Sequence, residues 1–504
     1  MSIDVSGGTG GMSAELDELE GAARILDALS AQLVRCAGHA LAAATSPAVA
    51  AAPVCVALAC PALGFEAAIA SSELERQALA VGGPSGAFGE AAALELLACT
   101  VRAVVAAYRG ADRAVSALIA EADDVVMAGV GLAAPVLFAG VGGLLLAAAT
   151  TPVGPGARPA QLAGLVDEAA YRMPWLVDIA AGGVDGLLRG LATDPLCAVV
   201  LVAAAARAGV GWPPRDEATA TAILEQVGGM VGALLENDAY AAVAVAALPP
   251  GPLTAQHAPT GVAGLMTDAV ELGDPAMRGR VRISQIPQPD GSSAWIVQLP
   301  GTQVWDPRPG PDPFDVSTDV AAMAGLATLA AAGATLALDL AMTAAGRSGV
   351  VGRRDPVLLT GHSQGGILSA AVASDPAFRS AHPCLQVVTA GSPIANFPIP
   401  PTVPVLSLEN LQDPVPRLDG TVNPDRPTWT TVRADLRERG APASAGASHA
   451  SRVYLRTAEQ VDGAIATHQS VSLDAWAAGA APFFGGDRPA RVTDYVLTRV
   501  ATGG

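Results

Sequence analysis

The feature that most constrains the fold is an apolar segment that leads directly into a glycine-rich turn. Residues 356–366 read PVLLTGHSQGG, with Ser363 at the centre of a G-x-S-x-G pattern. A strand before this pattern and a helix after it form the context in which such a serine acts as a nucleophile. Glycines two residues to either side permit a strained turn and a close approach of strand and helix. The segment therefore predicts a strand–turn–helix unit with an accessible serine hydroxyl.

Strand and helix patterns alternate around this turn. Residues 280–302, RVRISQIPQPDGSSAWIVQLPGT, predict two strands joined at Asp290 and Gly291. The further expected elements are a helix over 318–345, a strand over 356–360, a helix over 364–374, and strands over 385–393 and 403–410. Such alternation is typical of a mostly parallel sheet with helices on its faces. The fold class predicted for residues 261–504 is therefore α/β.

A serine hydroxyl is a weak nucleophile unless a base takes its proton and a carboxylate orients that base. With a G-x-S-x-G turn the chain order is serine, then an acid, then histidine. Asp413 follows the predicted strand 403–410 and is held by Pro414 and Pro416, which makes it the candidate carboxylate. The alternative is a turn-forming residue, because Asp-Pro pairs are common in turns.

Two histidines follow Asp413, and both are candidates for the base. His449 lies in a loop of small residues, SAGASHASRVY, and is the preferred candidate. His468 comes after an amphipathic stretch, where it would cap or cover a helix.

An acyl-transfer intermediate also needs two N–H donors for its oxyanion. Gln364 offers its backbone amide next to the serine, and Thr302, after Gly301, offers an amide and a hydroxyl together.

Four segments, in order along the chain, resemble the class 3 lipases of the α/β-hydrolases: GTQVWD at 301–306, TGHSQGG at 360–366, TAGSPIANF at 389–397 and NLQDPVPRL at 410–418. The resemblance covers roughly residues 280–460. It implies an α/β-hydrolase-type, mostly parallel sheet, with Ser363, Asp413 and a histidine as a triad and Thr302 and Gln364 as oxyanion donors. It also implies apolar acyl esters as substrates. Pro300 stands where the family usually has arginine.

The first 247 residues are rich in alanine and predict an all-helical region in two parts, 1–122 and 123–247. One apolar face is formed by Leu16, Leu19, Ala23, Leu26, Ser30 and Leu33. A second helix, expected near 88–120, repeats the spacing with Leu94, Leu97, Val101, Val104, Tyr108, Val115 and Leu118. Because each stripe needs a partner to bury it, an antiparallel helical hairpin with a bend at 47–62 is expected.

Residues 125–151 carry no charge and are long enough to span a bilayer, which needs roughly 20 apolar residues. Their many glycines and alanines and Pro135 favour a buried helix over a membrane-inserted one. The part 123–247 is therefore expected to be a lid or a membrane contact. Linkers are predicted at 152–160 and 248–260, and further helices at 161–191, 194–208 and 216–236.

Tyr108 and Asp112 form a Tyr-x-x-x-Asp pattern that resembles the export signal of type VII secretion substrates, which are actinobacterial helical hairpins. The resemblance implies export and a secretion-machinery partner. Alternatively, Tyr108 belongs to the apolar stripe and Asp112 to the exposed flank. The start of the chain has no basic segment and no apolar core, so no cleavable signal peptide is expected. The predicted location is cytoplasmic, or cell-envelope associated through a type VII-like route.

The composition excludes some classes of partner. A net charge of −18 disfavours nucleic acids, whose phosphates an acidic surface repels. The six cysteines form no C-x-x-C pair, so no structural zinc and no other cofactor is expected. The four cysteines in the first hundred residues are expected either to form a disulfide between helices or to be small buried apolar residues.

These patterns predict a serine esterase or lipase that acts through an acyl-enzyme. Two alternatives stay open. One is a secretion-linked or interaction protein with an inactive hydrolase-like domain. The other is an acyltransferase at a lipid surface that uses the same triad.

Overall fold

The computed structural model of the chain describes residues 2–44, 46–82, 86–110, 171, 188, 195–214, 219, 223, 240–249, 257–305, 309–323, 325–383, 385–437, 442 and 444–501. The chain divides into two compact units, one of residues 1–12 and 118–504 and the other of residues 13–117. Several expectations lie outside the described residues: the boundary at 122, Asp112, the apolar segment 125–151, the linker 152–160 and most of the helices at 161–191 and 216–236.

The larger unit is built on one sheet of nine strands among the described residues. In chain order these are β1 Ser2–Gly7, β2 Tyr240–Ala247, β3 Arg280–Pro287, β4 Ser293–Leu299, β5 Val357–His362, β6 Leu385–Ala390, β7 Val405–Asn410, β8 Trp429–Asp435 and β9 Arg491–Ala501. Their order across the sheet is β1-β8-β7-β6-β5-β4-β3-β9-β2. Strands β4 to β8 pair in parallel, and the outer strands pair antiparallel.

The α/β class is confirmed, but the expected mostly parallel sheet is wrong, because four of the eight pairings are antiparallel. The all-helical assignment of residues 1–247 is also wrong at two places. Ser2–Gly7 forms edge strand β1 beside β8, and Tyr240–Ala247 forms the opposite edge strand β2 beside β9. In β2 the partly buried Val243 and Val245 pack on the core while the alanine between them is exposed. Burial therefore alternates from one residue to the next, as in a strand.

The helices, in chain order, are α1 Met12–Ala44, α2 Pro47–Ala59, α3 Gly64–Gly82, α4 Ala87–Gly110, α5 Pro195–Ala208, α6 Val262–Leu272, α7 Val316–Met323, α8 Leu329–Ala344, α9 Gln364–Ser374, α10 Pro376–Ala381, α11 Ala445–Ser448, α12 Ser451–Ala466 and α13 Val471–Ala480. Helix α9 is predicted correctly at both ends. The single helix expected over 318–345 is wrong. It is split into α7 and α8 because Gly325 has a φ of 74° and the Thr328 side chain accepts the Ala331 N–H at 3.2 Å.

The central strands are covered by helices on both faces. Val357 and Leu359 of β5 pack in the cluster that includes α8 and α9, whereas Leu358 packs in the cluster with α6, α12 and α13. Every residue of β4 and β5 is buried. Burial of every residue along a strand is typical of strands that are covered on both faces. The sheet therefore holds the carboxyl end of β5 rigidly at the centre of the unit.

The hairpin expected at residues 280–302 is confirmed. Strand β3 pairs antiparallel with β4, from Arg282 opposite Gln298 to Pro287 opposite Ser293. At the turn Gly291 has a φ of 82°, and Asp290 Oδ1 accepts the Ser292 N–H at 2.9 Å. A left-handed glycine after an aspartate is the turn chemistry that the sequence indicates.

The smaller unit contains helices α1 to α4. The Ser30 hydroxyl donates to the Ala91 carbonyl at 2.9 Å, and Arg109 donates to Glu20 at 2.6 Å. Because the contacts move forward on α4 as they move back on α1, these two helices are antiparallel. The segment expected to be a bend at 47–62 is mostly helical, as α2.

The stripe predicted on α4 is wrong at three positions, while Leu94 and Val101 are partly buried and Val115 and Leu118 lie outside the described residues. Leu97, Val104 and Tyr108 are exposed, while Ala91, Ala98 and Val105 are buried. Tyr108 is therefore not part of a buried stripe, and the export signal stays a prediction.

Among the described residues, α4 is the one helix long and apolar enough to cross a bilayer, with a mean hydropathy of 1.6. A core helix of a soluble protein can have the same length and composition.

The cysteines of the first hundred residues fit neither expectation. Cys36, Cys55, Cys60 and Cys99 are all free and all exposed. They therefore form no interhelical disulfide, and they are not buried apolar residues.

Candidate active site

Ser363 lies at the tip of a sharp turn between β5 and α9. Its φ is 55° and its ψ is −124°, which is rare for a residue with a side chain. A Cβ on Gly361 would overlap the backbone of Gly365, and a Cβ on Gly365 would overlap the carbonyl oxygen of Leu299. The Ser363 N–H donates to the Ala390 carbonyl at 2.9 Å, which ties the turn to β6. The glycines of the motif are therefore required by backbone contact.

The structure brings Ser363, His449 and Asp413 together. Ser363 Oγ lies 2.9 Å from His449 Nε2, and His449 Nδ1 lies 2.8 Å from Asp413 Oδ2. The Asp413 carboxylate is fully buried, and Ser363 and the His449 ring are partly accessible. These distances are those of hydrogen bonds between a nucleophile, its base and an orienting acid.

Asp413 is held in place by two further donors. It follows β7 and precedes a 3-10 helix, Val415–Asp419. The Val415 N–H donates to Oδ1 at 2.9 Å, and the Tyr454 hydroxyl donates to Oδ2 at 2.7 Å. With the His449 ring, these donors fix both carboxylate oxygens.

His449 directly follows the short helix α11, and the side chains of Asn410 and His362 hold the backbone there. The Asn410 side-chain amide donates to the Ser448 carbonyl at 3.2 Å, and Thr457 donates to Asn410 Oδ1 at 2.7 Å. His362 Nε2 lies 2.6 Å from the His449 carbonyl, so His362 carries a proton on Nε2 and donates it. Burial lowers the pKa of His362 to about 3, and the neighbouring His449 acts in the same direction.

His468 is placed elsewhere. Its side chain is 81% exposed, and its Nδ1 lies 3.1 Å from Asp474 Oδ2. The cavity beside Ser363 is lined by His449 and not by His468. The structure therefore pairs Ser363 with the preferred histidine.

The two predicted oxyanion donors flank Ser363. Gln364 begins α9, and Thr302 follows Gly301, against which the Ser363 side chain packs. Neither the Gln364 nor the Thr302 backbone N–H donates to an acceptor within the described part of the chain. Both N–H groups are thus available, and the positive end of α9 favours a negative charge near Gln364.

The Thr302 hydroxyl is not free to act with its amide, as the sequence suggested. It donates to Asp319 Oδ2 at 2.9 Å. Burial raises the pKa of Asp319 to about 7, while the hydrogen bond from Thr302 acts in the opposite direction. Asp319 thus orients Thr302 beside the nucleophile.

Sequence reasoning missed four residues that position the site: Tyr454, His362, Asn410 and Asp319. His362 lies inside the motif and Asn410 in the segment that carries Asp413, but nothing in the local pattern separates them from ordinary polar residues. Tyr454 and Asp319 lie on helices whose apolar spacing predicts only packing. Their contacts depend on tertiary structure.

Ser363, His449, Thr302 and Gly301 line a cavity of about 340 Å³. Among the described residues no group of three or more His, Cys, Asp or Glu side chains could hold a metal ion.

No protein-family model, curated protein or solved structure matches this chain. Any conclusion about function therefore depends on the chemistry of the site.

Proposed function

We propose that the protein is a serine hydrolase that cleaves carboxylic esters through an acyl-enzyme. The observation that carries the proposal is the continuous hydrogen-bonded series from Ser363 Oγ to His449 (2.9 Å) and from His449 to Asp413 (2.8 Å). The proposed fold is of α/β-hydrolase type. Its support is a nucleophile that follows a central parallel strand and precedes a helix, with the acid and the base later in the chain.

Acylation begins when Ser363 Oγ attacks the ester carbonyl carbon and His449 Nε2 takes the hydroxyl proton. The carbonyl oxygen becomes negative and accepts hydrogen bonds from the Thr302 and Gln364 N–H groups. The bond to the leaving oxygen then breaks, and His449 gives the proton to the departing alcohol. Asp413 keeps the Nδ1–H tautomer and stabilises the imidazolium without taking the proton.

Deacylation repeats the steps with water. His449 takes a proton from a water molecule as its oxygen attacks the acyl carbon. When the tetrahedral intermediate collapses, the carboxylic acid leaves and Ser363 regains its proton from His449. Apart from the ester and the water molecule, these steps use only the three side chains and the two N–H donors.

The test is pre-steady-state hydrolysis of 4-nitrophenyl acetate by wild type and Ser363→Ala. We expect a burst of about one equivalent of nitrophenol from wild type and a loss of about 10³-fold or more in kcat for the variant. Ser374→Ala removes a hydroxyl that only donates to the Ala370 carbonyl, and is the matched control. Absence of Ser363-dependent release would favour an inactive interaction protein. Ester formation from an added alcohol in place of acid would favour an acyltransferase.

A further inference from the structure

The wall of the cavity beside Ser363 differs from that of a hydrocarbon-binding groove. Trp305, which is 74% exposed, is the one large apolar side chain that lines it among the described residues. The other lining residues are small, polar or charged. A long acyl chain gains affinity by leaving water for an apolar surface, and this wall offers little of it.

A cation, Arg278, lines the same cavity. It is exposed, and no carboxylate within the described chain lies at ion-pair distance from it. Arg282, close by in sequence, instead pairs with Asp268, Glu271 and Asp494. Arg278 is thus a cation that lines the cavity and has no carboxylate partner among the described residues, in a chain whose net charge is −18.

Two neighbouring acids, Asp274 and Asp312, each accept a backbone N–H through one carboxylate oxygen. Asp274, which also lines the cavity, accepts the Ala276 N–H at 2.8 Å through Oδ1. Asp312 accepts the Phe314 N–H at 3.0 Å through Oδ1. Burial raises the pKa of Asp312, and the hydrogen bond from Phe314 and the charge of Arg278 act in the opposite direction. Arg278 therefore acts on Asp312 only at longer range.

We propose that the ester cleaved at this site carries an anionic group, a carboxylate or a phosphate, that Arg278 binds, while its apolar part packs on Trp305. The proposal rests on the serine hydrolase function proposed above. A guanidinium binds both oxyacids through two parallel hydrogen bonds, which neutral esters cannot form. The volume of about 340 Å³ lies near the small end of the range for small-molecule sites and suits a compact ester.

Two synthetic esters of equal shape test this. The first is mono-4-nitrophenyl glutarate, and the second is 4-nitrophenyl 5-methylhexanoate, in which an isopropyl group replaces the carboxylate. Rates with Ser363→Ala are subtracted, because the glutarate ester also hydrolyses without catalysis. We expect wild type to favour the glutarate ester by about 10-fold or more in kcat/KM.

Three variants test whether Arg278 causes the preference for the anionic ester. Arg278→Gln should lower kcat/KM for the glutarate ester by about 10- to 100-fold and affect the neutral ester far less. Arg278→Lys should keep part of the preference, because it keeps the charge but loses the fork geometry. Arg354→Gln removes an exposed arginine outside the cavity, with the same change in net charge, and should leave the preference unchanged.

Equal rates on the two esters in wild type, or equal losses on both in Arg278→Gln, would overturn the anion-binding proposal while leaving the hydrolase function intact. If neither ester shows Ser363-dependent hydrolysis, the hydrolase function fails and this proposal fails with it.

Discussion

The phenolic oxygen of Tyr454 lies 2.7 Å from Oδ2 of Asp413, the same oxygen that lies 2.8 Å from His449 Nδ1. Burial, together with the charge of Asp413, raises the pKa of Tyr454 well above its ordinary value, so the neutral phenol is the donor. Its oxygen also accepts the Asn410 N–H at 3.1 Å. Tyr454 therefore links the end of β7 to the carboxylate that orients the base.

Tyr454→Phe removes the donor to Asp413 and leaves the buried Asn410 N–H without its acceptor. We expect the free energy of unfolding to fall by about 1–3 kcal/mol, and kcat to fall by about 10-fold because Asp413 is less firmly held. Urea denaturation and ester hydrolysis measure the two effects. Tyr495→Phe is the control, since most of the Tyr495 side chain is also buried and no hydrogen bond joins its hydroxyl to a described residue. Equal losses in both variants would contradict the positioning role.

Replacing each late histidine by alanine separates the two candidates for the base. His449→Ala should reduce kcat by about 10⁴-fold or more, because among the described residues only the His449 side chain is hydrogen-bonded to Ser363 Oγ. His468→Ala should change kcat by less than about 2-fold, since the His468 side chain is exposed and its one hydrogen bond to a described residue is to Asp474. A large loss in His468→Ala would show that the base has been assigned to the wrong histidine.

The turn itself can be tested with Gly365→Ala. The added methyl would overlap the Leu299 carbonyl oxygen, so the turn must shift and Ser363 with it. We expect a loss of activity of at least about 10²-fold and a lower melting temperature. Gly463→Ala, in α12, meets nothing within 4 Å and should be neutral or stabilise by about 0.5–1 kcal/mol. Full activity in Gly365→Ala would mean that the turn tolerates a Cβ.

Asp319→Asn changes how stability depends on pH. The pKa of Asp319 is raised to about 7 by burial, against roughly 4 in an unfolded chain. Between these pH values the folded protein binds more protons than the unfolded chain, so raising the pH lowers the free energy of unfolding. The loss is complete once the pH is above about 7. The neutral asparagine removes this cost and can still accept from Thr302.

The expected gain of Asp319→Asn over wild type at pH 8 is on the order of 1–3 kcal/mol, with little gain near pH 4. Melting temperatures of both proteins at the two pH values measure it. Asp290→Asn, at an exposed turn, should show no gain at pH 8. A difference between Asp319→Asn and wild type that is the same at both pH values would contradict the raised pKa.

The candidate site follows from the sequence where a short motif imposes backbone geometry. The glycines around Ser363 permit one kind of turn, and the order of Asp413 and His449 limits the choice of partners. Tyr454 and Asp319 could not be found in this way, because their side chains reach the site only once α12 and α7 pack on the sheet. A hydrogen bond between distant elements leaves no local pattern.

The fold shows a similar division. Strands β4 to β7 and helix α9 have strong apolar runs or clear ends, and the sequence predicts them closely. The alanine-rich β2 gave a helical interpretation, because alanine fits a helix face as well as a strand. Strand β1 is short and pairs with β8, about 430 residues later in the chain. Such pairings are decided by tertiary structure.

The most direct test of the central claim is covalent labelling with a fluorophosphonate, followed by peptide mass spectrometry. The hydrogen bonds among Ser363, His449 and Asp413 predict a single adduct on Ser363 in wild type, labelling that slows by orders of magnitude in His449→Ala, and none in Ser363→Ala. If wild type stays unlabelled, or if the adduct forms elsewhere and persists in Ser363→Ala, Ser363 is not an activated nucleophile and the proposed function is wrong.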